Sequence, residues 1–235
     1  MKKTDIFNEN GNLNYKNIPL LAFLSEEEFL SMKSNFEVLY FKKGDPIFKS
    51  GDPASKMFII YEGFMKIAMN LSDGREQILY IYQKGDFVGG LNLLSGDKYV
   101  YNGTALKNTV VVTISNDDFH NVLLKNSKFV MKVLEKSYER IRRSEELIDR
   151  LCVINADLKV AKVLMNLVKV YGQKTDEGIL LKLTLNQEEL GSFTGITRET
   201  MSRKLNQFED LGLIKIVARG KILITDVKGL SKLIV

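Results

Sequence analysis

Apolar and polar positions along the chain fall into three successive patterns. From Phe36 to Ile114, short β-rich runs (Met57–Tyr61, Phe64–Met69, Gln77–Tyr82, Thr109–Ile114) alternate with turn signals such as Lys43-Gly44-Asp45-Pro46, Ser50-Gly51-Asp52-Pro53, Ser72-Asp73-Gly74 and Lys84-Gly85-Asp86. Strands this short at close intervals predict a compact antiparallel barrel or sandwich. Ahead of them, Ile18 to Ser34 reads as an amphipathic helix, with Ser25 as its cap, Glu28 placed to answer it, and Phe29 and Met32 at helical spacing.

The helical period takes over near Asn116-Asp117 and continues to about Val153, with Phe119, Val122, Leu123, Val130, Val133, Leu134, Ser137, Ile141, Ile148 and Leu151 on one stripe. So long a stripe needs a partner. A second copy in the manner of a coiled coil is the economical one, which makes Val130, Val133, Leu134, Ser137, Ile141 and Ile148 the candidate dimer interface. Packing against its own barrel is the alternative. Asn155-Ala156-Asp157 then breaks the pattern as a hinge, and a second helix runs from Leu158 to Tyr171, ended by Gly172. A polar loop, Lys174 to Gly178, precedes a strand at Ile179 to Leu183. These breaks divide the chain into residues 1–115, 116–154 and 155–235.

The third pattern is a pair of short helices. Asn186-Gln187-Glu188-Glu189 has capping-box spacing, so a helix should start there and run to Gly195, where a residue without Cβ permits a sharp turn. Thr197 caps a second helix, from Arg198 to about Asp210. Two helices joined by a glycine turn, with Gly191 where their backbones approach, fit a helix-turn-helix. On the second, Arg198, Glu199, Ser202 and Arg203 share one face while Met201, Leu205 and Phe208 share another. That face suits base edges, because an Arg fork takes guanine O6 and N7 together and a Glu accepts from cytosine N4. A solvated helix with a Glu199–Arg203 pair is the alternative. Leu213–Val217 and Lys221–Ile224, joined by Ala218-Arg219-Gly220, predict a hairpin with a basic tip, a wing beside the groove. The candidate DNA-binding set is therefore Thr197, Arg198, Glu199, Ser202, Arg203, Lys204, Arg219 and Lys221.

Charge and composition sharpen this only a little. A net charge of +5 with pI near 9.0 favours an acidic partner. One cysteine, Cys152, and one histidine, His120, cannot build a disulfide framework or a zinc site made by protein ligands alone, so no metal is expected. Cys152 lies in an apolar stretch and reads as buried packing. No apolar run reaches the roughly 18 residues a membrane span needs, and Met-Lys-Lys is followed by polar residues, which predicts a cytoplasmic protein without a membrane partner. No nucleophile, base and orienting group stand together, so no enzyme is expected.

From about Leu20 onward the chain resembles the Crp/Fnr family of bacterial regulators. The matching stretches are Phe41-Lys42-Lys43-Gly44-Asp45, Ser50-Gly51-Asp52-Pro53-Ala54, Tyr61-Glu62-Gly63 and, most specifically, Gly195-Ile196-Thr197-Arg198-Glu199-Thr200-Met201-Ser202-Arg203-Lys204-Leu205. The resemblance implies an α+β chain: an N-terminal antiparallel β-roll (a cupin-like double-stranded barrel), a long dimerisation helix and a C-terminal winged helix-turn-helix. It implies a homodimer reading double-stranded DNA at a palindrome of TGA-like half-sites through Arg198, Glu199 and Arg203, with RNA polymerase as a candidate further partner. Lys204 departs from the family, which usually has an apolar residue there. Its stem is expected to cover the core while the ammonium reaches phosphate.

The implied effector pocket comprises Gly85, Asp86, Phe87, Val88, Gly89, Gly90, Tyr99, Tyr101, Arg143 and Ser144. Cyclic-AMP-binding members follow a Gly-Glu motif with an Arg for the cyclic phosphate. Between Asp97 and Ala105 there is no arginine, which argues against cyclic AMP. A single cysteine excludes an iron–sulfur cluster. Haem would have to use His120 or Cys152, and a histidine in so charged a stretch reads as a surface residue. A small organic effector, or none, remains. The competing function is a small-molecule receptor that acts on a protein partner and has lost DNA binding; the intact Arg198, Glu199 and Arg203 face argues against it.

Overall fold

The computed structural model describes residues 6–7, 13–32, 36–153 and 155–234. The chain divides into two compact units, Met1–Ile67 with Ile81–Arg142, and Ala68–Tyr80 with Arg143–Val235.

In the first unit, helix α1 spans Glu26–Met32. Ser25 caps it: the Glu28 amide donates to Ser25 Oγ at 3.1 Å and the Ser25 amide to Glu28 Oε2 at 2.7 Å. The expected helix from Ile18 is shorter than predicted because these bonds start it at Ser25; residues 18–24 form turns that bury Ile18, Leu20, Leu21 and Leu24 all the same, and its expected end at Ser34 lies outside the described residues. The strands are β1 (Glu37–Phe41), β2 (Pro46–Phe48), β3 (Lys56–Glu62), β4 (Phe64–Asn70), β5 (Glu76–Gln83), β6 (Phe87–Val88), β7 (Asn102–Ala105) and β8 (Thr109–Ser115). They form two four-stranded sheets, ordered β1-β8-β3-β6 and β2-β7-β4-β5.

Strand β8 pairs antiparallel with both β1 and β3, Val112 standing opposite Val38 and Ile59. Val110, Val112 and Ile114 enter one core cluster with Phe29, Met57, Ile59 and Phe119, while Val111 and Thr113, pointing to the opposite face, are buried too. A strand covered on both faces carries an unbroken apolar run instead of an alternating one. That is why Thr109–Ile114 shows no period of two.

Helix α2 spans Gly90–Ser95, α3 Asn116–Asn121 and α4 Ser127–Cys152. The single long helix expected from Asn116 is thus interrupted, by a helical turn at Leu123–Lys125 and by Asn126. Asn126 is extended, and its Oδ1 accepts from the Lys128 and Phe129 amides at 3.1 and 3.2 Å. It is a cap placed inside the stripe, and a cap starts a new helix.

The second unit carries α5 (Ala156–Tyr171), β9 (Gly172–Thr175), β10 (Gly178–Lys182), α6 (Gln187–Thr194), α7 (Arg198–Asp210), β11 (Ile214–Ala218), β12 (Lys221–Ile224) and α8 (Val227–Lys232). The strands form one sheet ordered β11-β12-β10-β9. Where the sequence suggested a polar loop, β9 pairs with β10; all four of its residues are exposed, so this edge strand offers no apolar alternation to read. The terminal α8, capped by Asp226 and buried through Leu230, was not anticipated.

Candidate nucleic-acid interface

Local chemistry fixes both helices of the helix-turn-helix. Asn186 Oδ1 accepts from the Glu189 amide at 2.9 Å and Glu189 Oε2 from the Asn186 amide at 2.8 Å, the reciprocal pair that starts α6. Gly195 closes α6 with φ of +78°, a left-handed conformation that costs glycine nothing. A Cβ on Gly191 would lie 3.0 Å from the Ile196 oxygen, so any larger residue there would crowd the approach of α6 to the turn. Thr197 Oγ1 then accepts from the Thr200 amide at 3.2 Å and starts α7.

Helix α7 is sharply two-sided. Met201, Leu205 and Phe208 are at most 1% exposed, and Phe208 O accepts from the Leu213 amide, holding the end of the helix against the wing. Thr197, Arg198, Glu199 and Arg203 are exposed and Ser202 is half-buried. Among the described residues Glu199 makes no ion pair with Arg203, and neither arginine is paired to any carboxylate. Two guanidinium groups and a carboxylate thus stand on one face without a partner among the described residues.

Lys204 requires a correction. Its Nζ lies 2.7 Å from Asp157 Oδ1 on α5 and donates to Gln207 Oε1 at 3.0 Å, so the ammonium is held inside the unit rather than extended toward a phosphate. The Lys204 and Asp157 side chains are only 17% and 32% exposed, and at that partial burial an ion pair outcompetes free solvation of the ammonium.

The wing forms as expected. β11 and β12 pair antiparallel, and Arg219 and Lys221 at its tip are exposed. The Leu183 amide donates to Gly220 O at 2.7 Å, tying the tip to the stretch that leads into α6, and the Ile216 amide donates to Glu209 Oε1 on α7 at 2.7 Å. Between wing and helices lies a cleft of about 470 Å³ whose lining includes Arg198, Arg219, Gln187 and Glu188.

The candidate effector residues are occupied differently. In the first unit Asp86, 7% exposed, accepts from the Gln83 amide at 3.0 Å through Oδ2, and Lys136 Nζ lies 3.8 Å from its Oδ1. Tyr99 is buried against Phe48 and Phe58, with ring centroids 4.6 and 6.0 Å away, and its hydroxyl donates to Lys56 O at 2.6 Å. Burial raises its phenol pKa above the ordinary value. Phe87, Val88, Gly89 and Gly90 are buried; Gly85 and Tyr101 are half-buried. Arg143 and Ser144 belong to the second unit, where the Ser144 hydroxyl and the Tyr80 hydroxyl share a hydrogen bond of 2.5 Å.

The candidate dimer stripe also needs revising. Val133 is 8% exposed within its own core cluster and so does not face outward; Ser137, whose hydroxyl donates back to Val133 O at 2.7 Å, and Val130 are half-buried. Leu134, Ile141 and Ile148 are exposed by 57%, 57% and 60%, and Met131 and Tyr138, missed in the sequence, are exposed by 58% and 63%. These five fall on a and d positions of a heptad repeat whose remaining a position is Glu145. Cys152 continues the same spacing and is exposed, not buried as expected. His120 is exposed, its Nε2 3.2 Å from Leu93 O.

Comparison with known proteins agrees with this geometry. The family described as cyclic nucleotide-binding domain matches residues 38–126, and the Crp-like helix-turn-helix domain matches residues 158–233. The anaerobic regulatory protein of Haemophilus influenzae is 30% identical over 193 residues, 82% of this chain and 74% of that protein. The CRP-like cAMP-activated global transcriptional regulator of Mycobacterium tuberculosis is 28% identical over 194 residues, 82% of this chain and 85% of that protein. Among solved structures, a mutant form of CooA from Carboxydothermus hydrogenoformans shares the fold with a TM-score of 0.75 at 21% identity, covering 86% of this chain and 89% of that one. FixK2 from Bradyrhizobium japonicum does so with a TM-score of 0.72 at 22% identity, over 84% and 96% of the two chains. The chain belongs to the Crp/Fnr family of transcription regulators, proteins that bind DNA through a helix-turn-helix and are not enzymes. Among the described residues no helix is long and apolar enough to cross a membrane.

Proposed function

We propose that this regulator works as a homodimer that reads an inverted repeat of TGA-like half-sites, with Arg198, Glu199, Ser202 and Arg203 contacting base edges and Thr197, Arg219 and Lys221 holding the phosphate backbone. The observation that carries this reading is the α7 face, on which two arginines and a glutamate are exposed and unpaired among the described residues while the opposite face is fully buried. The exposed heptad seam of Met131, Leu134, Tyr138, Ile141 and Ile148 supports a second copy as partner, since such a row buries itself best against its own like. Two-fold symmetry then calls for an inverted repeat, with half-sites one turn of B-form DNA, roughly 34–36 Å, or a multiple of it apart. A DNA partner implies the cytoplasm as working compartment, and an activator of this type would meet RNA polymerase there.

Cyclic AMP is not the effector in this reading. Tyr99, in the arginine-free stretch between Asp97 and Ala105, is buried against Phe48 and Phe58 and engaged with Lys56 O, and Lys98, the one cation of that stretch, is exposed, so the stretch offers the singly charged cyclic phosphate no guanidinium fork. A different small effector is the regulator proposed for the first unit. The test is a fluorescence-anisotropy titration with a duplex carrying two TGA half-sites and with a scrambled duplex, at two salt concentrations and with and without cyclic AMP. The expected result is tight, salt-sensitive preference for the repeat, unchanged by cyclic AMP. Equal affinity for both duplexes would refute the reading.

A further inference from the structure

The second unit includes a segment remote in sequence from the helix-turn-helix, residues 68–80, which carries the turn between β4 and β5. Within it Gln77 is 6% exposed, an unusual degree of burial for an uncharged amide. Its Nε2 donates to Ser192 O at 2.6 Å and to Ile78 O at 3.0 Å. Both neighbours are carbonyl oxygens, so the end of the amide that faces them is its NH2.

Ser192 lies in the last turn of α6, where carbonyls run out of helical donors. The Ile196 amide, which would serve Ser192 O in a continuing helix, instead donates to Gly191 O at 3.0 Å because the chain turns at Gly195. Gln77 supplies the donor that the turn takes away. Its Oε1 also lies beside the turn itself, 3.5 Å from where a Cβ of Gly195 would stand.

We propose that Gln77 is a positioning residue for DNA reading: it caps the C-terminus of α6 from outside the helix and holds the turn that aims α7. This rests on α7 being the DNA reader. The geometry is specific to an amide of this length, since the side chain must reach a carbonyl on another element while staying dry.

The test compares the full chain with Gln77→Met, which keeps length and loses the donor, and Gln77→Glu, which keeps shape and sets a carboxylate against two carbonyls. Hydrogen exchange is measured first on the free proteins. Amides of residues 192–197 should exchange about tenfold faster in both variants, while amides in β3 and β8 keep their rates. Anisotropy titrations follow. Affinity for the TGA repeat should fall about tenfold, affinity for scrambled duplex should stay within twofold, and the salt slope should not change, because no phosphate contact has been removed. Unchanged exchange at 192–197 in both variants overturns the cap. Equal loss on both duplexes, or faster exchange spread into β3 and β8, overturns the positioning role in favour of plain structural support. A wild-type protein that cannot tell the duplexes apart refutes the DNA reading itself, and the exchange arm still decides the cap.

Discussion

The α7 face and the segment from Gly85 to Tyr101 use their polar side chains in opposite ways. On α7, Arg198, Glu199 and Arg203 have no partner among the described residues. In the other segment, Asp86 closes a turn on the Gln83 amide and Tyr99 bonds the Lys56 carbonyl inside an aromatic cluster. Groups left unsatisfied on a surface are available to an outside ligand, whereas groups that already serve their own backbone declare none. The contrast explains why the DNA partner can be argued from single residues and the effector cannot.

The largest effect should come from the other unsatisfied surface, the α4 seam. Ile141→Glu places a carboxylate in the heptad row and should leave a monomer by light scattering, with affinity for the TGA repeat reduced at least 100-fold as bivalency is lost. A dimer of unchanged mass would remove the seam from the argument. Next, Arg203→Ala should cost about 1–3 kcal/mol per half-site on the repeat and little on scrambled DNA, relaxing specificity at one base position. Lys221→Ala should weaken both duplexes alike by several-fold and lower the salt slope by about 1 per protomer. If these two patterns were exchanged, reader and anchor would be exchanged with them.

Lys204→Met sharpens the contrast from the satisfied side. The ammonium already belongs to Asp157 and Gln207, so the salt slope should be unchanged while thermal unfolding shows a loss of about 1 kcal/mol, the upper range for a pair still partly in solvent. A reduced slope would return Lys204 to the phosphate contacts. The smallest effect concerns Glu28, whose carboxyl is held below its usual pKa chiefly by the Ser25 amide and then by the Asn126 side chain. A depressed pKa contributes stability that is present above the unfolded value and is lost as pH falls through the folded one. Urea titrations should therefore lose part of their acid sensitivity below the ordinary carboxylate range in Glu28→Gln, and an identical pH profile would show the cap to be inert.

Legibility in the sequence followed the range over which each feature is determined. The boundaries of α6 and α7 were readable because Asn186, Glu189, Gly195 and Thr197 act within three or four residues of themselves. The wing was readable as a hairpin because its two strands flank one short turn, whereas the register shift between Ile216 and Ala218, which pairs Ala218 with Lys221, was not. Asn126 was readable in principle as a cap but lay inside an apolar stripe that spoke louder, so two helices looked like one. The division of α4 into an inward side, with Val133, and an outward side, with Met131 and Tyr138, needed the fold, since both sides are apolar. Lys204 and Gln77 escaped because their partners, Asp157 and Ser192, are distant along the chain.

The backbone bond from the Leu183 amide to Gly220 closes the tip of the wing into a ring anchored at the entry to α6. A ring of main-chain atoms keeps its shape whatever side chain it displays. Position 219, adjoining that closure and exposed, is therefore an interchangeable part, free to change its side chain while the scaffold beneath stays as it is.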